Sequence, residues 1–401
     1  MTKITDIPAI RFKGFSDTWE QRKLSEIATM HARIGWQNLR TSEFLDNGDY
    51  MLITGTDFMD GAVNFDTCHY VERERYEQDK HIQIRNGSIL ITKDGTLGKV
   101  AYIQGLTMPA TLNAGVFNVE IRDEKEVDNR YLFQYLKAPF LMDYVDKKAT
   151  GGTIKHLNQN ILVDFPVVLP QKDEQAKIGE YFLGIDNLIT LHQRKYDKLT
   201  NVKKSMLGKM FPQNGSNVPE IRFKGFTEAW EQRKFSDLVQ IERGGSPRPI
   251  DDFITDSPDG LNWVKIGDAP AQGNYITKTA EKIKPEGLSK TREVHPGDLI
   301  LSNSMSFGKP YIMGIDGCIH DGWLLIRNTY KVFDLTFLCH LLGTPQMIIQ
   351  YKSLAAGSTV NNLNKELVGN TVVTIPTIKE QRVLGQYLET LDNLITLHQC
   401  E

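Results

Sequence analysis

Short runs of apolar residues recur along the chain, and glycine, asparagine and aspartate separate them. Runs of four to six residues that alternate with polar positions or stay apolar, bounded by such turn residues, are typical of β-strands. We therefore predict strands at Tyr50 to Thr54, Ile89 to Thr92, Lys99 to Ile103, Val116 to Ile121 and Phe165 to Leu169.

Helical patterns follow the strands in each half. Asp128 has the side chain of a helix N-cap and predicts a helix from about Asn129 to Asp146. Asp334 stands before the corresponding stretch, Leu335 to Ser353. The mixture of short strands and helices predicts an α+β fold.

A longer helical pattern begins at about Asp173, where apolar residues recur at alternating spacings of three and four. This spacing predicts a heptad seam, and at ~1.5 Å per residue the helix is about 54 Å long. The seam can pack on its own domain or against a similar, shorter helical stretch near the end of the chain. We favour the second arrangement, an antiparallel coiled coil. Because the second copy is shorter, we expect Tyr196 to Met210 to lack a full-length partner within the chain. The residues predicted to pack in the seam are Ile178, Phe182, Ile185, Ile189, Leu384, Leu388, Leu391 and Ile395.

The sequence repeats itself. IRFKGF at 10–15 returns at 221–226, and WEQRK at 19–23 returns at 230–234. DNLITLHQ at 186–193 returns intact at 392–399. A period near 210 residues is too long for a solenoid, so we predict two similar domains in tandem.

The edges of the two copies are nearly identical, whereas their middles, roughly 30–85 and 240–295, hardly align. Even drift after a duplication would not give this contrast. A fixed scaffold that carries exchangeable recognition centres explains it better. The predicted boundaries are a first domain at 1–171, a long helix at 172–212, a linker at 213–218, a second domain at 219–376 and a short helix at 377–401.

Composition narrows the class of protein. In 401 residues, 40% are hydrophobic and 24% charged, which excludes a disordered or fibrous chain. No run of eighteen apolar residues occurs and the start lacks a signal peptide's apolar core, so we expect a soluble, cytoplasmic protein without a membrane segment. The four cysteines lie far apart, which argues against a disulfide scaffold and a structural zinc site. A net charge of −3 gives no sign of a nucleic-acid binder.

A glycine-rich loop, GTLGK at 95–99, invites comparison with a phosphate-binding loop. That loop needs four residues between its glycines and a serine or threonine after the lysine. Here two residues separate the glycines and Val100 follows the lysine. The remaining interpretations are a tight strand–turn–strand and a loop that contacts a DNA backbone.

No catalytic motif is found in the sequence. The chain contains no Pro-Pro, so it lacks the Asn-Pro-Pro-Tyr type motif of an amino-methyltransferase. Pro258-Asp259 is the sole Pro-Asp, and no acid-x-Lys pattern of a nuclease follows it. No G-x-S-x-G element and no metal-ligand spacing of histidines occurs. We therefore predict a binding protein with no catalytic, cofactor-binding or metal-binding residues.

Two polar loops occupy equivalent places in the copies, RIGWQNLR at 33–40 and ERGGSPRP at 242–249. Short polar and basic side chains on loops can read base edges, and a nearby aromatic ring can stack on a base. Together with the loops around 95–99 and 302–309, they supply the candidate DNA-binding residues Arg33, Trp36, Gln37, Asn38, Arg40, Lys93, Thr96, Lys99, Arg243, Ser246, Arg248, Ser302, Asn303, Ser304 and Lys309.

With these segments in view, the chain resembles the specificity subunit of bacterial type I restriction–modification systems. The resemblance rests on GTLGK at 95–99, GGTIKHLN at 151–158, the helix start after Pro170 with DEQ at 173–175, and DNLI at 186–189. The second copy repeats two of these as GSTVNNLN at 357–364 and KEQ at 379–381.

The resemblance implies two target-recognition domains, each reading half of a bipartite DNA site, joined by long helices in a pseudo-two-fold arrangement. It also implies two methyltransferase subunits docked on those helices and a motor–nuclease subunit for restriction. In such systems S-adenosylmethionine, ATP and Mg²⁺ belong to the partner subunits, which methylate adenine and cut DNA.

Two other functions stay open on the residues alone. One is a self-contained nuclease or methyltransferase with a diverged site, which the missing motifs disfavour. The other is a tandem scaffold that binds only proteins.

Overall fold

A computed structural model describes residues 2–3, 8–148, 157–213, 215–303, 308–356 and 362–399. The chain divides into two compact units, Met1–Ile189 (unit 1) and Thr190–Glu401 (unit 2). Among the described residues, no helix is both long and apolar enough to cross a lipid bilayer.

The described part of unit 1 is built from short strands and six α-helices. The strands are Thr2–Lys3 (β1), Glu20–Lys23 (β2), Ala28–His31 (β3), Met51–Ile53 (β4), Phe58–Met59 (β5), Ala62–Val63 (β6), His69–Tyr70 (β7), Gln83–Ile84 (β8), Ile89–Thr92 (β9), Val100–Tyr102 (β10), Ala110–Leu112 (β11), Val116–Ile121 (β12) and Pro166–Leu169 (β13). The helices are Leu24–Ile27 (α1), Arg73–Glu77 (α2), Asn129–Lys137 (α3), Phe140–Lys148 (α4), Gln159–Leu162 (α5) and Lys172–Lys209 (α6), of which α6 continues into unit 2.

Unit 2 repeats this plan, but its two main sheets have five strands each, whereas those of unit 1 have four. Its strands are Glu231–Lys234 (β14), Gln240–Arg243 (β15), Ile254–Thr255 (β16), Leu261–Val264 (β17), Tyr275–Ile276 (β18), Glu281–Ile283 (β19), Arg292–Val294 (β20), Leu299–Ser302 (β21), Pro310–Met313 (β22), Gly317–Ile319 (β23), Trp323–Arg327 (β24) and Val372–Ile375 (β25). Its helices are Leu335–Leu342 (α7), Pro345–Ala356 (α8), Lys365–Gly369 (α9) and Ile378–Leu397 (α10). The α+β prediction is confirmed.

A central sheet in each unit is covered on both faces. In unit 1 its order is β10-β9-β12-β3, and a second sheet has the order β7-β4-β11-β8. Successive side chains of β9 point to opposite faces. Ile89 and Ile91 therefore join the cluster with the helices, whereas Leu90 joins the cluster with the second sheet. Strand β21 of unit 2 divides its side chains in the same way.

The predicted strands at 89–92 and 116–121 have the observed bounds, and the other three are shorter by one or two residues. The two predicted helices are each broken in two, which differs from the prediction. Pro139 follows the end of α3, and Pro345 begins α8 after the Gly343 cap. Proline disfavours the helical conformation of the residue before it, so the break was readable from the sequence. The predicted caps, Asp128 and Asp334, accept hydrogen bonds from backbone N–H groups of their helices.

The repeated motifs build the same scaffold in both units. The EQRK strands pair with the strands that precede the long helices, β2 with β13 and β14 with β25. Arg11 donates two hydrogen bonds to Glu174, at 2.6 and 2.7 Å, and Arg222 donates two to Glu380, at 2.7 and 2.8 Å. The residues that the two copies share at their edges thus hold the start of each long helix in the same way.

The glutamine beside each of these glutamates ties the helix to the preceding domain. Gln175 accepts from the backbone N–H of Asp128 at 2.9 Å, and Gln381 accepts from that of Asp334 at 2.9 Å. One turn further on, a Cβ at Gly179 would lie 2.6 Å from the Tyr131 nitrogen. The close crossing of α6 over the start of α3 therefore requires glycine at this position.

Candidate nucleic-acid interface

The two units contain the same type of turn at equivalent places, between β9 and β10 in unit 1 and between β21 and β22 in unit 2. Thr92 Oγ1 accepts from the backbone N–H of Lys99 at 3.0 Å, and Ser302 Oγ accepts from that of Lys309 at 3.0 Å. The strand–turn–strand interpretation of 95–99 is confirmed, because β9 and β10 pair directly. Thr92 was missed in the sequence because it lies in the strand before the glycine-rich segment.

The turn presents its two candidate side chains differently in the two units. Thr96 and Lys99 are exposed in unit 1. In unit 2, Ser302 is fully buried and holds the turn, whereas Lys309 is half-buried with its Nζ 4.9 Å from the centroid of the Tyr311 ring. Ser302 therefore supports the turn, and a contact to DNA from this segment would come from Lys309. Ser304 lies outside the described residues.

Lys93 and Asn303 occupy equivalent backbone positions. Each donates its backbone N–H to a glycine carbonyl at 2.9 Å, and each carbonyl accepts from a leucine N–H, Leu157 at 2.8 Å and Leu363 at 3.0 Å. Their side chains differ: Lys93 Nζ lies 5.5 Å from the centroid of the Phe117 ring, whereas Asn303 is buried. One backbone frame thus carries different side chains in the two copies.

In unit 2, five candidate or neighbouring side chains converge on Asp321, and one of them is that of Asn303, whose Nδ2 donates to the Asp321 carbonyl at 2.8 Å. Ser246 Oγ donates to Asp321 Oδ1 at 3.0 Å, and His320 Nε2 lies 3.0 Å from the same oxygen. The Arg248 guanidinium lies 3.8 Å from Oδ2, and Arg243 Nε donates to the Asp321 carbonyl at 3.4 Å. Asp321 therefore orients the loop, yet it stands about 75 residues from it and no sequence motif marks it.

Two glycines let this loop approach its neighbours. A Cβ at Gly244 would lie 2.2 Å from the carbonyl oxygen of His320, and one at Gly245 would lie 2.4 Å from that of Lys290. Any side chain at either position would displace the loop backbone. The glycines thus keep Ser246 and Arg248 beside Asp321.

The loop forms one wall of an open cavity of about 1030 Å³ within unit 2. Ser246, Arg248, Trp263, Lys265 and Glu281 are among the residues that line it. The hydroxyl, guanidinium, ammonium and carboxylate groups offer both donors and acceptors, which is what base edges in a DNA groove require. The side chain of Arg248 is 82% exposed, so its guanidinium can reach a ligand by giving up only its contact with Asp321.

In the loop at 33–40 of unit 1, the structure contradicts the prediction that Arg33 contacts DNA. Arg33 is 2% exposed, and its guanidinium donates to the Leu112 carbonyl at 3.0 Å and to Thr111 Oγ1 at 3.3 Å. A third bond reaches Gln78 Oε1 at 3.2 Å. Burial lowers the pKa of Arg33 from its ordinary value. Arg33 is therefore a structural residue of unit 1, because its donors are already occupied inside the fold.

The remaining residues of that loop separate by exposure. Gln37 is buried, whereas Asn38 and Arg40 are exposed. Trp36 lies in the one-turn helix Gly35–Gln37, and its side chain is outside the described part of the structure. Among the candidate side chains of this loop that the structure describes, Asn38 and Arg40 are the exposed ones.

The predicted helix seam is covered in unit 2. Leu384, Leu388, Leu391 and Ile395 are all buried. Residues from the second half of α6, among them Leu199 and Met206, pack against the same cluster. Lys203 pairs with Asp392, and His192 Nδ1 lies 3.0 Å from His398 Nδ1. These contacts show that the two helices run antiparallel.

The expectation that Tyr196 to Met210 lack a partner within the chain is therefore wrong. Met210 and Phe211 are 3% and 2% exposed, and the Phe211 ring stacks on Phe337 with centroids 5.6 Å apart. The second half of α6 is covered because it lies against α10 and α7 of unit 2.

The first half of α6 keeps part of its seam uncovered. Ile178 packs against the unit 1 core, and Ile185 is partly buried, whereas Phe182 and Ile189 are 47% and 51% exposed. The prediction of one buried seam thus differs from the structure at Phe182 and Ile189, since no described residue covers them. Phe182 also borders an apolar cavity of about 640 Å³.

A tandem pair of sheet-and-helix domains with fixed edges, variable polar loops and a long connecting helix defines a modular recognition protein. The chain matches the family described as "Type I restriction modification DNA specificity domain" over residues 16–201 and again over 227–401. The chain belongs to this family, which decides for DNA specificity over the two alternative functions.

Relatives and a solved structure agree with this membership. The chain is similar to the putative type I restriction enzyme MjaX specificity subunit of Methanocaldococcus jannaschii, 24% identical over 416 residues, covering 100% of this chain and 91% of that protein. It is also 24% identical over 336 residues to the MjaVIII specificity subunit of the same organism, covering 80% and 76%. The fold is similar to the crystal structure of the type I S subunit from M. genitalium, with a TM-score of 0.63 and 14% identity over 99% of this chain and 94% of that one.

Proposed function

We propose that the chain reads a bipartite DNA sequence, with unit 1 recognising one half and unit 2 the other. In unit 2 the contacts to bases come from Arg248, Ser246 and Lys309, which Asp321 and the β21–β22 turn position. In unit 1 they come from Asn38, Arg40 and the exposed residues of the turn at 93–99. Membership of a DNA specificity family supports this assignment.

The observation that carries the proposal is the reuse of one backbone frame for different side chains. Lys93 and Asn303 make the same backbone hydrogen bonds, but their side chains differ. Unit 1 has an ammonium group there, whereas the Asn303 amide is buried and donates to the Asp321 carbonyl at 2.8 Å, so that unit 2 presents Arg248 and Lys309 instead. A protein that reads two different half-sites needs this combination of equivalent position and different chemistry, because side-chain donors and acceptors distinguish base pairs.

Catalysis is assigned to partner subunits. Two methyltransferase subunits with S-adenosylmethionine would methylate adenine, and a motor–nuclease subunit with ATP and Mg²⁺ would restrict unmodified DNA. The apolar residues left uncovered on α6 of unit 1, Phe182 and Ile189, offer a surface for a methyltransferase subunit. Exposed apolar patches of this kind commonly mark protein interfaces.

The chain alone should bind DNA weakly. Its net charge is −3, so few phosphates can be neutralised and few counterions released. We expect the affinity of the isolated chain to change little with salt concentration. Assembly with the methyltransferase subunits would supply the missing phosphate contacts.

The test is a reconstitution. The chain is co-produced with its methyltransferase subunit in a host without DNA methylation, and the methylated positions of the host genome are mapped. We expect methylated adenines in one bipartite sequence, and none when either protein is produced alone. Methyl transfer or DNA cleavage by the purified chain alone, with Mg²⁺ and S-adenosylmethionine, would contradict the noncatalytic assignment.

A further inference from the structure

Two histidines and a glutamate meet on the surface of unit 1, away from the helix seam. The rings of His31 and His81 are stacked with centroids 4.5 Å apart and planes 17° from parallel. His31 Nε2 lies 3.4 Å from Glu120 Oε2. One potential ligand atom from each of the three residues lies within 4.8 Å of the other two. Among the residues that the structure describes, no other group of three such ligands is this close.

The fold holds these three side chains on different elements. His31 ends β3 and Glu120 lies on the neighbouring β12, where Asn118 pairs with His31 and Glu120 pairs with Thr29. His31 and Glu120 therefore project from one face of the sheet, since residues two apart share a face. His81 sits in a one-turn helix, Lys80–Ile82, at a place far from both in the sequence.

Two hydrogen bonds fix the turn that carries His81. Asp79 caps it by accepting from the His81 N–H at 2.9 Å. Asn118, which is 7% exposed, donates from Nδ2 to the His81 carbonyl at 2.9 Å. The backbone of His81 is thus tied to the strand that carries Glu120, which keeps the three side chains within reach of one another. Because an imidazole nitrogen binds a cation in the plane of its ring, the two stacked rings must turn relative to each other when both bind the same cation.

We propose that His31, His81 and Glu120 form a binding site for a borderline divalent cation of the zinc type. Two imidazoles and one carboxylate are ligands that Zn²⁺, Co²⁺ and Ni²⁺ prefer, whereas Mg²⁺ and Ca²⁺ prefer oxygen ligands alone. The carboxylate balances part of the charge of the cation. An open polar cavity of about 380 Å³ adjoins His81 and Glu120 and leaves room for ion entry and for water in the remaining coordination positions.

A hydroxyl group, that of Thr29, lies beside the proposed ligands. Thr29 Oγ1 lies 3.1 Å from His31 Nε2, and it also lies 3.4 Å from the Glu120 carbonyl oxygen, to which it can donate. When Nε2 binds a cation, the Thr29 hydroxyl keeps this second partner. Binding therefore leaves the Thr29 hydroxyl with a hydrogen-bond partner.

The cation would cross-link the 80–82 turn to the sheet of unit 1. His31 precedes the 33–40 loop, so the link lies at the base of one of the proposed DNA-reading loops. The metal-site proposal does not depend on the DNA proposal, because none of the three ligands is a proposed DNA-reading residue. Its role is structural, and no catalytic step is assigned to it.

The test is a titration of the full-length chain, purified without a histidine tag and stripped of metal, with Co²⁺ followed by its visible absorption. We expect one Co²⁺ per chain, displaced by one equivalent of Zn²⁺ and insensitive to excess Mg²⁺. His81→Gln and Glu120→Gln should each weaken Co²⁺ binding by at least about tenfold, since loss of an outer-shell partner alone costs 10–100-fold.

His295→Gln is the matched control. His295 is an exposed histidine of unit 2 with a carboxylate partner, Asp316, at 2.8 Å, but among the described residues no third ligand atom lies within 4.8 Å of both. This variant should bind Co²⁺ as the parent does, and thermal melting should show that all variants are folded. Absence of saturable binding to the parent, or unchanged affinity in both His81→Gln and Glu120→Gln, would overturn the proposal.

Discussion

Replacing Arg248 with alanine separates DNA recognition from stability. Its side chain is 82% exposed and its nearest charged partner, Asp321, is 3.8 Å away, so little folding energy depends on it. Exposed substitutions of this kind change the free energy of unfolding by at most about 0.5 kcal/mol. If the guanidinium reads a base, binding of the correct half-site should weaken by about 1–3 kcal/mol, which is about 5- to 150-fold in Kd.

The assay is competition binding of the methyltransferase complex to duplexes that carry the mapped site. Arg248→Ala should lose affinity for the site but keep its affinity for a duplex with the unit 2 half-site scrambled. A phosphate contact would instead weaken both duplexes equally and reduce the salt slope by about one. Arg248→Lys distinguishes the two further, because lysine keeps the charge but lacks the planar fork that pairs with guanine.

Arg85→Ala is the matched control. Its side chain is 77% exposed and lies 3.3 Å from Glu124, so it also removes one exposed arginine with a single carboxylate partner. We expect no change in the affinity or the sequence bound. Unchanged binding and an unchanged methylated sequence in Arg248→Ala would refute the assignment of this loop.

Four further outcomes follow from the structure. Arg33→Met should lower the free energy of unfolding of unit 1 by at least about 3 kcal/mol, because buried acceptors lose a charged donor; a change below 0.5 kcal/mol in chemical denaturation would contradict its structural role. Asp321→Ala should weaken recognition of the unit 2 half-site alone, measured by the same competition assay, whereas equal loss for both halves would contradict a local role. Phe211→Ala should lower the melting temperature of unit 2, since about 3–5 kcal/mol of packing is lost, and an unchanged melting curve would show that α6 is not held there. Burial and the nearby Lys203 lower the pKa of His340 to about 4, below about 6.5 in the unfolded chain. The contribution of His340 to the stability of unit 2 should therefore be constant above pH 6.5 and be lost as the pH falls from 6.5 to 4, and His340→Gln should remove that part of the pH dependence in chemical denaturation.

Much of the scaffold could be predicted from the sequence because it depends on local patterns and on the repeat. The apolar runs gave two strands with their observed bounds, and the N-caps Asp128 and Asp334 were readable from residue type. The repeated Arg11 and Glu174 stand about 160 residues apart, yet their recurrence as Arg222 and Glu380 marked both as scaffold positions.

The candidate site was less predictable because its geometry depends on contacts between distant segments. Arg33 and Arg248 are both arginines in polar loops, but strand β11 supplies acceptors that bury Arg33, and the 242–249 loop leaves Arg248 exposed. Asp321 is one acidic residue among 50 in the chain, and the fold alone places it beside the loop. The cluster of His31, His81 and Glu120 could not be predicted for the same reason, because its three residues lie far apart in the sequence.

The proposed binding of a methyltransferase subunit to α6 rests on the apolar surface that the structure leaves uncovered there. Apolar periodicity predicted that all eight seam residues pack, but periodicity does not say which protein covers them. Within the chain, Leu388 is buried whereas the corresponding Phe182 is 47% exposed. A methyltransferase subunit that covers Phe182 would account for an apolar position that the fold of this chain does not bury.

The most direct test of modular reading is an exchange of one recognition domain. Residues 20–170 are replaced by the first domain of another family member, the chimera is co-produced with the methyltransferase subunit, and the methylated positions of the host genome are mapped. We predict that one half of the bipartite sequence changes and that the half read by unit 2 stays the same. A change in both halves, or in neither, would contradict the claim that each unit reads its own half.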